Sequence, residues 1–189
     1  MRLTSVVFAI LMTGTISAAG AQAQAPLPLQ ATPFGLREGM SKSDLDAVAG
    51  PLSVQEGTPP TFYAAHVPKP HPDLKVYAVV VGDSTGLCQV VGGKLIDSTG
   101  VTDIEADRVF NELKGQLTAK YGKPSAIEKS QVRWLKINDA AMPKNLDAIT
   151  LSTALQPSGA NLVSLRYRFA NANRCGAAAA PPDPVRDAL

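Results

Sequence analysis

The chain has 189 residues, of which 45% are hydrophobic, and its 18 basic and 16 acidic side chains leave a formal net charge of +2 at pH 7. A chain this close to neutral lacks the concentrated positive charge that binding to phosphates requires, which argues against a nucleic-acid partner. The length suits one domain, or two small halves that share a core.

The first 23 residues have the three-part layout of a secretory signal peptide. Arg2 is followed by an apolar run over residues 6–12 and by small residues that end in an A-x-A triplet at 21–23. Such a segment is typically removed on export. Neither this run nor any later one approaches the ~20 apolar residues that cross a bilayer, so no transmembrane segment is expected after cleavage. We therefore predict a periplasmic or secreted protein with a flexible leader over residues 24–32.

The first helix signal starts at Ser41. With Ser41 as the N-cap, Asp44 falls at the third helical position, where its charge complements the helix dipole. Gly50 and Pro51 end the helix, since glycine readily takes the conformation of a C-terminal cap and proline cannot continue the hydrogen-bond ladder. A short helix is therefore predicted between Ser41 and Gly50.

Three strand-like runs follow the first helix, at residues 61–67, 75–81 and 87–96. Between the last two stands Gly82-Asp83-Ser84-Thr85-Gly86, which matches the G-x-S-x-G pattern of a hydrolase nucleophile elbow. An elbow needs a strand, a tight turn and then a helix. Here a second strand follows the turn, so the stretch is predicted to be a hairpin loop and Ser84 is not expected to be catalytic.

The two histidines of the chain, His66 at the end of the first run and His71 in the proline-containing loop after it, lie with Asp73 in HVPKPHPD at 66–73. Two imidazoles and a carboxylate could hold a metal ion with an open coordination position. The spacing does not define the geometry of such a loop, and two ordinary loop histidines are the favoured interpretation. No cofactor and no catalytic residue are therefore predicted, and the metal site is kept as an alternative.

The second helix signal is a capping box at residues 102–105, and a second Gly-Pro stop follows in YGKPS. Between them, apolar side chains recur at steps of three or four residues and form one stripe. These are Val109, Phe110, Leu113, Leu117 and Tyr121. Three more strand-like runs follow, at residues 132–137, 146–155 and 162–170.

Arginine side chains mark one face of the last run. Apolar and polar residues alternate along it, which places Arg166 and Arg168 together on a solvated face. Alternation likewise puts Arg133 on the face opposite Trp134 in a nearby strand. Because arginine is favoured at the centres of protein interfaces, these three arginines are the predicted protein-binding residues, and an ordinary solvated face is the alternative.

Cys88 and Cys175, the two cysteines of the chain, are predicted to form a disulfide, which is the default in an oxidising compartment. Residues 176–189 are rich in alanine and proline and are predicted to be a flexible tail. Residues 33–175 remain as the folded domain, with halves at about 33–100 and 101–175.

The order helix-strand-strand-strand occurs twice. It predicts an α+β protein of two αβββ units, with a mainly antiparallel sheet and helices packed on one side. This order, with FGLREGMSKSDLDAVAGPLS at 34–53 and FNELKGQLTAKYGKPS at 110–125, resembles exported bacterial tandem helix-plus-sheet proteins of the β-lactamase inhibitory protein and SmpA/OmlA type. The resemblance implies a sheet that binds protein. The chain departs from it in lacking a lipobox cysteine and any matching inhibitory contact residues.

The function predicted from these patterns is that of an exported, non-catalytic protein that binds or modulates another cell-envelope or secreted protein. Two alternatives stay open. One is a small metal-assisted hydrolase that uses His66, His71 and Asp73. The other is a binder of a small amphipathic ligand held between the sheet and the helices.

Overall fold

The computed structural model describes residues 31–55, 60–97, 102–136 and 142–175. The predicted signal peptide, most of the leader, the tail 176–189 and the side chains of Gln55, Thr102 and Asp103 lie outside the described part. Helix α1 covers Lys42–Ala49 and helix α2 covers Thr102–Tyr121. The strands in chain order are β1 (Ser53–Gln55), β2 (Thr61–Ala64), β3 (Val76–Gly82), β4 (Gly86–Ile96), β5 (Ala126–Ile127), β6 (Gln131–Leu135), β7 (Leu146–Leu155) and β8 (Asn161–Phe169).

All eight strands form one antiparallel sheet in the order β1-β2-β3-β4-β8-β7-β6-β5. The predicted α+β class with an antiparallel sheet is confirmed. Each helix is followed by four strands that step from an edge of the sheet to its middle, so β4 and β8 meet at the centre. The expected αβββ order omits the edge strands β1 and β5, because runs of three and two residues carry no readable alternation.

Helix α1 has the start and stop that its sequence predicts. The Ser41 hydroxyl accepts a hydrogen bond from the Asp44 amide at 3.2 Å, and the Asp44 carboxylate accepts one from the Ser41 amide at 3.0 Å. The Ser41 hydroxyl also donates to the Asp44 carboxylate at 2.7 Å, and this bond together with the one from the Ser41 amide lowers the pKa of Asp44. Gly50 caps the other end with a φ of 74°, a conformation that other residues rarely adopt.

The main core lies between the two helices and one face of the sheet. Leu45 of α1 and the apolar stripe of α2 pack against strand side chains that all point to the same face of the sheet, such as Val79, Val90 and Leu165. Four members of the predicted stripe are buried, and Phe110 is only partly so. Both helices therefore cover the same side of the sheet, which we call the helix side.

The start of the described chain is attached to the second half of the sheet. Ala31, in the predicted leader, donates from its amide to the Asn145 side chain and accepts from the same side chain, both at 2.8 Å. Ala31 is therefore held against the domain at the turn before β7.

Candidate functional site

The sheet surface opposite the helix side, which we call the open face, carries side chains in rows that cross the strands. From β2 to β6, one row consists of Tyr63, Ala78, Val91, Arg166, Thr150 and Arg133. The next row, toward the β3–β4 turn, consists of Thr61, Val80, Gln89, Arg168, Ala148 and Leu135. Strand order and register thus place side chains from six strands side by side.

The structure brings the three predicted arginines to this face. Arg133 and Arg166 flank Thr150 in one row, and Arg168 stands in the next row on β8. Since neighbouring strands lie about 4.8 Å apart, the backbones at Arg133 and Arg166 are roughly 10 Å apart. Trp134 points to the helix side and is 1% exposed, as alternation predicts.

Carboxylates orient two of these arginines. Nε of Arg168 lies 3.2 Å from Oδ2 of Asp147, and Arg133 forms an ion pair with Glu128. All four side chains are about half exposed, so solvent screens both pairs and they contribute little to stability. Their effect is to hold the guanidinium groups in place while leaving them accessible.

Two buried donor atoms of the open face have no hydrogen-bond partner within the described ranges. They are Nε2 of Gln89 and Nε of Arg133. Gln89 is 6% exposed and is the direct cross-strand neighbour of Arg168. Leaving a buried donor unpaired costs about 1–3 kcal/mol, a cost that an incoming acceptor relieves. The open face therefore favours a ligand that presents oxygen acceptors.

Beside the arginines, the open face has a floor of small or aliphatic side chains. Ala78, Val80 and Val91 are all buried, and Val91 packs with Leu162 and Leu95 in a small cluster of its own. An apolar floor with arginines along one side combines two features that are common at protein interfaces.

The Cys88–Cys175 disulfide lies at one end of the open face. The pairing was predicted, and the two Cα atoms are 6.4 Å apart. Asn171 fastens the turn that contains Cys175, because its Nδ2 donates to the carbonyls of Thr85 and Leu87 at 3.0 and 3.1 Å. Strand alternation puts Gly82 on the open face, and its missing side chain leaves room for the turn: a Cβ there would lie 3.3 Å from Cα of Cys175.

The G-x-S-x-G stretch forms the hairpin turn between β3 and β4, as predicted. Strand β4 starts at Gly86, so no helix N-terminus faces Ser84 and the elbow geometry is missing. On the helix side, the turn borders a cleft of about 380 Å³ together with Lys42 and Phe62. The Lys42 ammonium lies 5.8 Å from the centre of the Phe62 ring and 2.8 Å from an oxygen of Asp46.

The structure places the two histidines in different surroundings. The ring of His66 lies beside Gly50 at the end of α1. Nε2 of His71 lies 3.0 Å from Oε1 of Gln116 on α2, and its Nδ1 is 3.8 Å from the Asp73 carboxylate. In the part of the chain that is described, no group of three or more His, Cys, Asp or Glu side chains is placed to hold a metal ion. The geometry therefore gives the metal-site alternative no support.

An ion network between β4 and α2 was missed by the sequence reasoning. Glu105 lies 2.8 Å from Lys94 and 3.0 Å from Arg108, and Arg108 also pairs with Glu112 at 2.8 Å. The hydrogen bonds from Arg108 and Lys94 lower the pKa of Glu105 to about 2. The helical spacing of Glu105, Arg108 and Glu112 is a signal that could have identified the part on α2.

None of the described helices is long and apolar enough to cross a membrane. Compared with protein-family profiles, curated proteins and solved structures, this chain has no significant match. The resemblance to the β-lactamase inhibitory protein and SmpA/OmlA types stays a prediction, and the site has to be interpreted from its own chemistry.

Proposed function

We propose that this protein is exported and binds another cell-envelope or secreted protein through the open face, without catalysing a reaction. The observation that carries the proposal is the grouping of Arg133, Arg166 and Arg168 beside a buried, unpaired Gln89 amide on a sheet face that neither helix covers. Arginine often contributes much of the binding energy at protein interfaces, which favours this face as the contact.

The chemistry of the open face indicates what the partner presents. Guanidinium groups have five donors and no acceptor, and Nε2 of Gln89 is likewise a donor. A partner with carboxylates and backbone carbonyls would complement this surplus of donors. Six strands contribute side chains to the face, which suits a protein surface better than a small molecule.

Export is supported by two features of the chain. The first residues have the layout of a signal peptide. The disulfide between Cys88 and Cys175 is of the kind that persists in oxidising compartments such as the periplasm. We propose the periplasm or the exterior as the site of action.

We also propose that the halves 33–100 and 101–175 are a structural repeat of αβββ type, each extended by one short edge strand. The strand order supports this, because it is the same from either edge of the sheet to the middle. In such a repeat, the open face belongs to both halves, with Gln89 from the first half and the arginines from the second.

The test is capture followed by direct binding. A tagged chain starting at residue 24 is incubated with envelope extract, captured proteins are identified by mass spectrometry, and the best candidate is purified for titration calorimetry. We expect Arg166→Ala/Arg168→Ala to weaken the direct binding at least about tenfold. The control, Arg108→Ala/Lys120→Ala, removes the same charge from α2 on the helix side and should bind like the wild type.

Two outcomes would contradict the proposal. One is a captured protein whose affinity falls equally in the open-face and control variants, since the arginines would then act only through net charge. The other is the failure of every captured candidate to bind the purified chain directly.

The cleft beside Lys42 favours a second candidate, a small amphipathic ligand between sheet and helix. The cleft combines the Phe62 ring with a lysine ammonium at its rim. Titration with decanoate, followed by the NMR signals of Phe62, tests this. Binding that is lost in Lys42→Ala would support the ligand site, and unchanged Phe62 signals would remove it.

A further inference from the structure

We infer that the C-terminal segment, residues 176–189, docks reversibly on the open face of its own chain and competes there with the partner. The regulatory part of this inference rests on the proposed function. The contact itself does not, because it involves one chain only and can be measured without a partner.

The described chain ends on the open face. Cys175 is bonded to Cys88, the residue before Gln89, and its Cα would lie 3.3 Å from a Cβ on Gly82. The backbone at Cys175 therefore rests directly on the end of β3. Any continuation of the chain starts beside the unpaired Gln89 amide.

The segment is long enough to reach the arginines. From Cys175 to Leu189 there are 189 − 175 = 14 residues, which span up to about 46–50 Å when extended. Three strand spacings separate β4 from β6, so Arg133 lies only roughly 14 Å away across the sheet. A tether of this length holds a segment at an effective concentration on the order of 1 mM.

The chemistry of the segment complements that of the open face. Its sequence is GAAAAPPDPVRDAL, with acidic Asp183 and Asp187 against a single arginine. Its three prolines lack backbone N–H groups but keep their carbonyls, so the segment has more acceptors than donors. The open face has the opposite imbalance, with unpaired donors at Gln89 and Arg133.

Competition follows if a partner uses the same donors. If the Kd of the segment as a free peptide is about one tenth of the effective concentration, the segment occupies the face about nine-tenths of the time. Removing the segment would then tighten partner binding about tenfold. Reduction of the disulfide would loosen the tether and act in the same direction.

The experiment uses ¹⁵N-labelled chains that start at residue 24. Side-chain signals of Gln89 Nε2 and Arg133 Nε are compared among the wild type, Asp183→Asn/Asp187→Asn and a chain that ends at Gly176. We expect both changed chains to shift these two signals in the same direction. Adding a synthetic peptide of residues 177–189 to the shortened chain should restore the wild-type positions, with a Kd at or below about 1 mM.

Two controls keep the test specific. The side-chain amide of Gln116, which contacts His71 on the helix side, should keep its signal in every chain. The variant Asp107→Asn, which removes one exposed carboxylate from α2, should leave the Gln89 and Arg133 signals unchanged. Identical Gln89 and Arg133 signals in the wild type and the shortened chain would overturn the inference.

The two proposals fail independently. If the segment contact is observed but no protein binds the open face directly, the inference stands and the proposed function falls. If a partner binds the open face but the signals of Gln89 and Arg133 are the same with and without the segment, the proposed function stands and the inference falls. Shortening the chain will then not change the partner's affinity.

Discussion

At the scale of single residues, Gly86 is the position where the β3–β4 hairpin depends most on having no side chain. Its φ is +67°, and a Cβ there would collide with the carbonyl of Gly39. The loop before α1 pairs with the start of β4, since the Gly39 amide donates to the Leu87 carbonyl at 2.9 Å. Gly86 therefore allows both the tight turn and the close contact between β4 and the loop before α1.

We expect Gly86→Ala to lower the free energy of unfolding by about 2 kcal/mol or more, because a non-glycine residue in this backbone region costs about 1–3 kcal/mol even before the collision. Gly115→Ala is the matched control: it has open space around it in α2 and should gain up to about 1 kcal/mol. Urea unfolding followed by the fluorescence of buried Trp134 measures both. Equal midpoints for Gly86→Ala and the wild type would refute the turn assignment.

Glu105 gives a pH dependence with a defined sign. Arg108 and Lys94 lower its pKa from 4.5 to about 2. A carboxyl group with a lower pKa in the folded state adds stability above its unfolded pKa and loses that stability as the pH falls through its folded pKa. The group is exposed, so the effect is small.

We expect Glu105→Gln to have a lower Tm than the wild type at about pH 6. The difference should shrink between about pH 4.5 and pH 2, where the wild-type carboxylate becomes protonated and loses its ion pairs. Scanning calorimetry across this range measures it. A Tm difference that stays constant down to the lowest pH would show that the variant acts through packing instead.

At the scale of elements, Trp134 joins β6 to the end of α2. Its Nε1 donates to the carbonyl of Gly122 at 3.0 Å, and Gly122, with a φ of 82°, follows the last residue of the helix. The sequence predicted the end of α2 from the Gly-Pro stop and the inward direction of Trp134 from alternation. It could not predict their hydrogen bond, which depends on how β6 lies against the helix.

We expect Trp134→Phe to lower the free energy of unfolding by about 1–3 kcal/mol, because a carbonyl at the helix end loses its donor. The loss should appear locally as faster hydrogen exchange in the last turn of α2, with α1 unchanged as the internal control. Mass spectrometry of exchanged peptides measures this. Unaltered exchange in the last turn would show that the hydrogen bond does not hold the helix end.

The elements also show where local signals stop. Caps and Gly-Pro stops are local, so both helices were predicted close to their observed bounds. The edge strands β1 and β5 were missed, because their neighbours in the sheet, and not their own sequence, make them strands. Val54 and Ile127, one in each edge strand, are 65% and 64% exposed, whereas the alternation that identifies a strand assumes that its apolar side chains are buried.

At the scale of the whole molecule, the two halves are joined twice. Strands β4 and β8 pair over eight residues at the centre of the sheet, and the disulfide links Cys88 of the first half to Cys175 of the second. The disulfide closes a loop with a sequence separation of 87 residues. Closure of so long a loop lowers the conformational entropy of the unfolded chain more than that of the folded one.

We expect Cys88→Ala/Cys175→Ala to lower the free energy of unfolding by up to about 4 to 5 kcal/mol, which is the chain entropy that a loop of this length restores to the unfolded state. Urea unfolding with and without reductant measures it, and the double variant is its own control because reductant should not affect it. If the urea midpoint of the wild type is the same with and without reductant, the bond does not stabilise the fold.

By itself, the sequence determined those features that depend on nearby residues or on strand parity. It placed the caps of α1, made the Gly82–Gly86 stretch a hairpin, paired the two cysteines and put Arg166 and Arg168 on one face. Each follows from backbone preference, from the two-residue period of a strand or from the cysteine count.

Only the tertiary structure decided which of these features meet. It aligned Arg133 with Arg166, put the unpaired Gln89 amide beside Arg168 and gave His66 and His71 different neighbours. Strand order and register are set by the packing of residues far apart in the chain, and a slip of one residue would move every side chain to the other face. The open face is therefore a property of the assembled sheet, although the arginines on it were visible in the sequence.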